Sequence, residues 1–182
     1  MFRSRQFLAL LAVVALAPTA GAQTRMLRSP SVSADQIAFA YAQNIWIVPR
    51  SGGAARRLTS FQGTTDDPKL SPDGKWVAFS GSYGGNTDVY VVPAEGGTPK
   101  RLTWHTAIDV VQGWTPDGAR ILFASNRETN GPTPAPRFYT VAASGGPEEA
   151  LPMNRAWQGH LSPDGRRVAY RMNNSWDEER RN

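Results

Sequence analysis

The chain of 182 residues has no cysteine, which excludes a disulfide framework, a thiolate nucleophile and any thiolate-held metal. Histidine is scarce too. With His105 and His160 as its two histidines, the chain has too few imidazoles for a histidine-built metal centre. Charge is sparse at 19% of residues, and Lys and Arg are interleaved with Asp and Glu along the length. No basic run or stripe marks a polyanion-binding surface, so a nucleic-acid partner is excluded. Long apolar runs are missing beyond the N-terminus, and no later segment approaches the ~20 residues that cross a bilayer.

The N-terminus is the exception. Residues 1–22 read as a secretory signal peptide, with Arg3 and Arg5 as the charged region, Phe7 to Leu16 as the apolar stretch and Ala20-Gly21-Ala22 as the cleavage site. A signal anchor would need a longer apolar run, and Pro18 closes this one after ten residues. The expected product is periplasmic or secreted. Cleavage leaves 160 residues and, by removing two arginines, takes the formal net charge from +5 to +3.

What the chain has in abundance is a repeated turn. Ser71-Pro72-Asp73-Gly74, Thr115-Pro116-Asp117-Gly118 and Ser162-Pro163-Asp164-Gly165 each place Pro at a fixed φ, Asp where its carboxylate can bond the local backbone and Gly where φ is positive. A short apolar strand follows each: Trp76-Val77-Ala78-Phe79, Ile121-Leu122-Phe123 and Val168-Ala169-Tyr170. Ile37-Ala38-Phe39 is an earlier copy behind the degenerate turn Ser33-Ala34-Asp35. A second column, Ile45–Pro49, Val89–Pro93 and Phe138–Ala142, is rich in β-branched and aromatic residues. Glycine pairs at 52–53, 96–97 and 145–146 precede a further strand at Arg57-Leu58-Thr59, Arg101-Leu102-Thr103 and Ala150-Leu151-Pro152. The remaining strand lies ahead of each turn, around Pro68–Leu70, Val110–Trp114 and Trp157–Leu161.

Turns, glycine pairs and Arg-Leu-Thr elements advance by 44 residues between early copies, and the later lengthening falls in the Pro-rich insertion Thr129 to Pro136. Four short antiparallel strands per such unit define a β-propeller blade. A β-sandwich would also give short strands, but it does not require turn, aromatic, glycine pair and Arg-Leu-Thr to return in register. The expected fold is therefore all-β, with blade 1 at about 27–66, blade 2 at about 67–108, blade 3 at about 109–154 and the start of blade 4 at 155–182. Counted by strands, this is the last three of one blade, two full blades and two strands of another. Closed propellers have about four to eight blades, so the ring is expected to be incomplete and the chain a fragment.

Leu70–Phe79, Asp88–Gly97 and Lys100–Thr103 resemble the Pro-Asp-Gly propeller repeats of the TolB/tricorn type, and the likeness covers nearly everything after the signal. These motifs are specific to the family and common to its branches. Leu27-Arg28-Ser29-Pro30 directly after the signal, the strand entry Ala42–Trp46, and Asn154-Arg155-Ala156 followed by Trp176 and Arg180-Arg181 lean towards exported tricorn-like serine peptidases. The resemblance then implies a non-catalytic propeller that guides or gates a peptide on its way to catalytic domains elsewhere. Two other readings stay open: a TolB-like module that binds a protein partner, and a propeller ahead of a different hydrolase domain.

Conspicuous polar residues have structural readings. His105, just after Arg-Leu-Thr-Trp, belongs at a blade edge or loop; His160 lies in a strand expected to line the propeller channel. Asp73, Asp117 and Asp164 recur once per blade, which is turn chemistry and not a metal site. Gly81–Asn86 joins two strands and opens no helix, so it reads as a flexible surface loop rather than a phosphate cradle. No Gly-x-Ser-x-Gly elbow occurs. No catalytic, cofactor-binding or metal residue is expected, no cofactor is implied, and a peptide or protein is the expected ligand.

Overall fold

The computed structural model describes residues 26–60, 62–128, 135–153 and 155–172, which form antiparallel sheets with no helix among them. Sheet I comprises β1 (Arg28–Val32), β2 (Gln36–Tyr41), β3 (Asn44–Pro49) and β4 (Arg56–Arg57). Sheet II comprises β5 (Thr64–Leu70), β6 (Trp76–Ser82), β7 (Asp88–Pro93) and β8 (Lys100–Arg101). Sheet III comprises β9 (Asp109–Trp114), β10 (Arg120–Ser125), β11 (Arg137–Ala142) and β12 (Glu149–Ala150). Sheet IV pairs β13 (Ala156–Leu161) with β14 (Val168–Met172). The signal-like segment 1–22, residues 129–134 of the Pro-rich insertion and the segment from Trp176 onward lie outside the described residues.

Each sheet is a meander in sequence order, and the first strands of successive sheets meet: β1 against β5, β5 against β9 and β9 against β13. That line is the inner edge of a fan of blades. A sheet inside such a fan is covered on both faces, which is why β6 and β10 each bury five consecutive residues instead of alternating. Ile45, Ile47, Val77, Phe79 and Val92 pack between sheets I and II; Val89, Val91, Leu102, Val111 and Phe123 between II and III; Leu122, Ala124, Phe138 and Ala156 between III and IV.

The strand count needs one correction, because sheet I has four strands rather than three. β1 pairs with β2 through Arg28↔Ala40, Ser31↔Ala38 and Val32↔Ile37, with a bulge between Arg28 and Ser31. Its segment Arg28-Ser29-Pro30-Ser31-Val32 lacks strand character because the irregular residues, Pro30 and Ser29 at φ 50°, sit in the bulge. Inner strands bulge repeatedly: Asp67 at φ 51° and Gln158 at φ 48° occupy the equivalent place in β5 and β13. Neighbouring sheets are stitched at these strands. The Leu70 N–H donates to Ser31 Oγ (2.9 Å), Val111 N–H to Ser80 Oγ (2.9 Å) and Gly159 N–H to Gln112 Oε1 (3.2 Å), each acceptor belonging to the preceding sheet.

The Arg-Leu-Thr element also differs from expectation. Its ladder covers Arg56–Arg57 and Lys100–Arg101, so Leu and Thr follow the strand instead of ending it. Both leucines are buried, and their N–H groups bond Ile45 O and Val89 O. The Thr59 and Thr103 hydroxyls accept the Ile45 and Val89 N–H groups at 2.9 and 3.0 Å, satisfying amides that have no access to water.

The turn motif has two functions. Within a turn, Ser71 Oγ donates to Asp73 (2.6 Å) and Thr115 Oγ1 to Asp117 (2.5 Å), and Ser162 does the same to Asp164. Each carboxylate accepts the amide two residues on, and each hydroxyl accepts the amide five residues on. Between turns, Pro meets Gly. A Cβ built on Gly118 would stand 3.6 Å from the Pro72 ring, and one on Gly165 would stand 3.6 Å from the Pro116 ring. The motif is therefore a blade-to-blade joint as well as a hairpin turn.

Candidate functional site

Polar chemistry collects in two places, the inner edge between sheets I and II and the groove between sheets II and III. At the inner edge, Arg28 Nη2 lies 3.3 Å from Asp66 Oδ2, and Ser29 Oγ lies within hydrogen-bond distance of both Asp66 Oδ1 (3.1 Å) and Asp67 Oδ1 (3.2 Å). The bulge brings these groups together by turning Ser29 and Asp67 out of the regular ladder. Burial, reinforced by the neighbouring Asp66 carboxylate, holds the Asp67 carboxyl above the usual carboxylate range, while Ser29, Lys69 and Arg28 oppose that shift. Paired donors and acceptors of this kind can hold a peptide backbone. The partners of the Ser29 hydroxyl in those contacts are carboxylates, with no histidine among them.

Between sheets II and III, charge is buried and paired. Asp88 is 1% exposed and takes Arg101 Nη2 at 2.6 Å; Asp109 is wholly buried and takes Arg127 Nη2 at 2.7 Å. Arg127 also reaches Glu148 at 3.4 Å and lies over the Tyr139 ring at 4.9 Å. Above this network a groove of about 610 Å³ runs between the two sheets, lined in part by Arg101, Trp104, His105 and Glu148. Trp104 is 71% exposed, with the Arg101 guanidinium 4.2 Å from its ring. An exposed indole backed by an arginine is the type of pair that anchors protein partners.

The two histidines stand apart. His105 is exposed on the β8–β9 connection, and its Nδ1 accepts the Ala107 N–H at 3.0 Å, which places the neutral ring's proton on Nε2. His160 lies in inner strand β13 and is exposed, with Nδ1 4.0 Å from the Cβ position of Gly113. Asp73, Asp117 and Asp164 are each confined to their own turn. Their hydroxyl partners, followed by the backbone amides, hold all three carboxyls below the usual range. No group of three or more potential metal-ligating side chains occurs among the described residues.

The Gly81–Asn86 segment is held at its two ends, while Gly84 and Gly85 between them are exposed. Gly81 belongs to β6, and Asn86 Nδ2 donates to His105 O (2.6 Å) and Ala107 O (3.2 Å), fastening it to the next connection. Sequence reasoning missed Arg28, Ser29, Asp66 and Asp67 as a set. The available signal was the acidic pair just ahead of the strand read around Pro68–Leu70.

Four-stranded antiparallel meanders joined along their first strands are the blades of a β-propeller. Residues 24–182 match the tricorn protease N-terminal β-propeller domain family, and the chain belongs to it. Among solved structures, one described as TolB from Agrobacterium tumefaciens superposes with a TM-score of 0.70 at 22% identity, covering 81% of this chain and 54% of that one. TolB from Acinetobacter baumannii gives 0.66 at 27% identity, covering 80% and 37%. The tricorn protease itself gives 0.66 at 22% identity, covering 76% and 14%. The chain thus spans about half or less of each of these proteins. Comparison with curated proteins finds no match.

Proposed function

We propose that this chain is the non-catalytic propeller region of an exported tricorn-like serine peptidase, holding and guiding peptides towards catalytic domains outside this sequence. The observation that carries this reading is the match of a tricorn N-terminal propeller over residues 24–182. It is supported by an inner edge that offers donors and acceptors, Arg28, Ser29, Asp66 and Asp67. A second reading, a TolB-like module for a folded protein partner, draws on the TolB similarity at 27% identity and on the exposed Trp104–Arg101 pair. Export follows from the signal-like residues 1–22.

The purified chain, incubated with a mixed peptide library and analysed by mass spectrometry after rapid filtration, should retain a subset of peptides and cleave none. Turnover that a serine-directed inhibitor abolishes would overturn the non-catalytic reading. Retention of no peptide, with capture of a single folded protein from periplasmic extract through Trp104, would favour the TolB-like reading.

A further inference from the structure

Two carboxylates compete for one hydroxyl where β1 meets β5. Ser29 Oγ lies 3.1 Å from Asp66 Oδ1 and 3.2 Å from Asp67 Oδ1, but a hydroxyl has a single proton and can donate to only one of them. The two acids are not equal. Asp66 Oδ1 also accepts the Asp67 N–H at 2.9 Å, and Asp66 Oδ2 faces Arg28 Nη2 at 3.3 Å. The Asp67 carboxyl has Ser29 as its one hydrogen-bond partner among the described residues. With both acids ionised, the hydroxyl turns a lone pair towards whichever carboxylate it does not serve, so one of the two contacts is repulsive.

One added proton removes the conflict. A protonated Asp67 donates to Ser29 Oγ, Ser29 donates to Asp66 Oδ1, and Asp66 stays ionised beside Arg28. Asp67 is the acid placed to take that proton, because burial and the Asp66 charge both favour its neutral form. The charged groups around it are Arg28 on β1, with Asp66 and Lys69 on β5. Strands β2, β3 and β6 contain no acidic or basic residue, and Asp109 of β9 is paired with Arg127. The position is that of a joint. Ser29 and Asp67 are the bulge residues, at φ 50° and 51°, of the first strands of sheets I and II. Those strands are otherwise tied by the Leu70 N–H donating to Ser31 Oγ and by the Arg28–Asp66 pair.

We propose that Asp67, Ser29 and Asp66 form a proton-operated latch between the first two blades. A proton taken from solvent by Asp67 completes the chain of hydrogen bonds from Asp67 through Ser29 to Asp66 and fastens β1 to β5; its return to solvent at higher pH breaks the chain and loosens β1. The closed latch holds the proton more tightly than the open one, so its stabilisation is present at low pH and is lost as pH rises through the folded value of Asp67. Hydrogen exchange and carboxyl-carbon NMR of the full chain, followed from about pH 7 to about pH 4, test it. Protection of the β1 amides, corrected for the intrinsic pH dependence of exchange, should rise severalfold in step with the Asp67 titration, while β10 amides should not follow it. Asp67→Asn, whose amide donates as the protonated acid does, should keep β1 protected across the whole range. Ser29→Ala should leave β1 weakly protected at both ends. An Asp67 carboxyl that titrates at or below the ordinary value of 3.8 would overturn the latch. So would β1 protection that ignores pH in the unaltered chain, or a pH response that survives in either variant.

Discussion

The junction of sheets I and II and the junction of sheets II and III are built from the same repeat and end differently at the turn face. Between II and III the Pro72 ring lies on Gly118, above a core holding Val111, Ile121 and Phe123. Between I and II the first turn is short and has no proline, and the turn face opens into a cleft although the core beneath remains packed. The comparison separates two functions that the repeat normally merges. Apolar strands hold neighbouring sheets together, while the Pro-Asp-Gly turns close the seam between them.

Variants in the core should separate the junctions most. Phe123→Ala removes a wholly buried ring between sheets II and III and should cost about 3–5 kcal/mol in chemical denaturation. A loss below ~1 kcal/mol would show that the seam is not a packed core. Gly159→Ala should cost about 1–3 kcal/mol, because its Cβ would stand 2.4 Å from Phe138 in the III–IV seam. Thr103→Val strips the hydroxyl from the buried Val89 amide and should cost about 1–3 kcal/mol by the same measurement. Thr59→Val should behave alike at the first seam, since the two caps are equivalent.

Charge gives smaller effects of opposite sign in two regions. Asp73, Asp117 and Asp164 titrate below the usual carboxylate value of 3.8, so their stabilisation is complete above it and is lost as pH falls through their folded values. Replacing all three by Asn should lower the unfolding midpoint at pH 7, with a difference that shrinks below about pH 4. Asp67 is raised, so its ionised form is disfavoured by folding, and its penalty disappears as pH falls through the folded value. Asp67→Asn should therefore stabilise slightly at neutral pH, since Asn carries no charge to desolvate and tolerates the φ of 51° as Asp does. Destabilisation by that variant at pH 7 would show that the carboxylate is needed for its contact with Ser29.

Most of the fold was legible because the repeat is written in turn chemistry. Pro-Asp-Gly and the glycine pairs punctuate the chain whatever the strands between them contain. β1 escaped because a bulged strand of Arg, Ser, Pro, Ser and Val carries little β-propensity, and its place is set by pairing with β2 and contact with β5. Leu58, Thr59, Leu102 and Thr103 were recognised as an element, but their capping function depends on what lies opposite, which no single strand reveals. The cleft was least legible of all. It arises because the first turn has four residues, 33–36, where the second has six, 71–76.

The account rests on the turn motif acting as the joint between blades, and grafting that joint tests it most directly. Replacing Ser33–Gln36 by the six-residue turn Ser-Pro-Asp-Gly-Lys-Arg should seat the new proline on Gly74 and raise the denaturation midpoint by the equivalent of about 0.5–1 kcal/mol. An unchanged or lowered midpoint in a folded variant would contradict it.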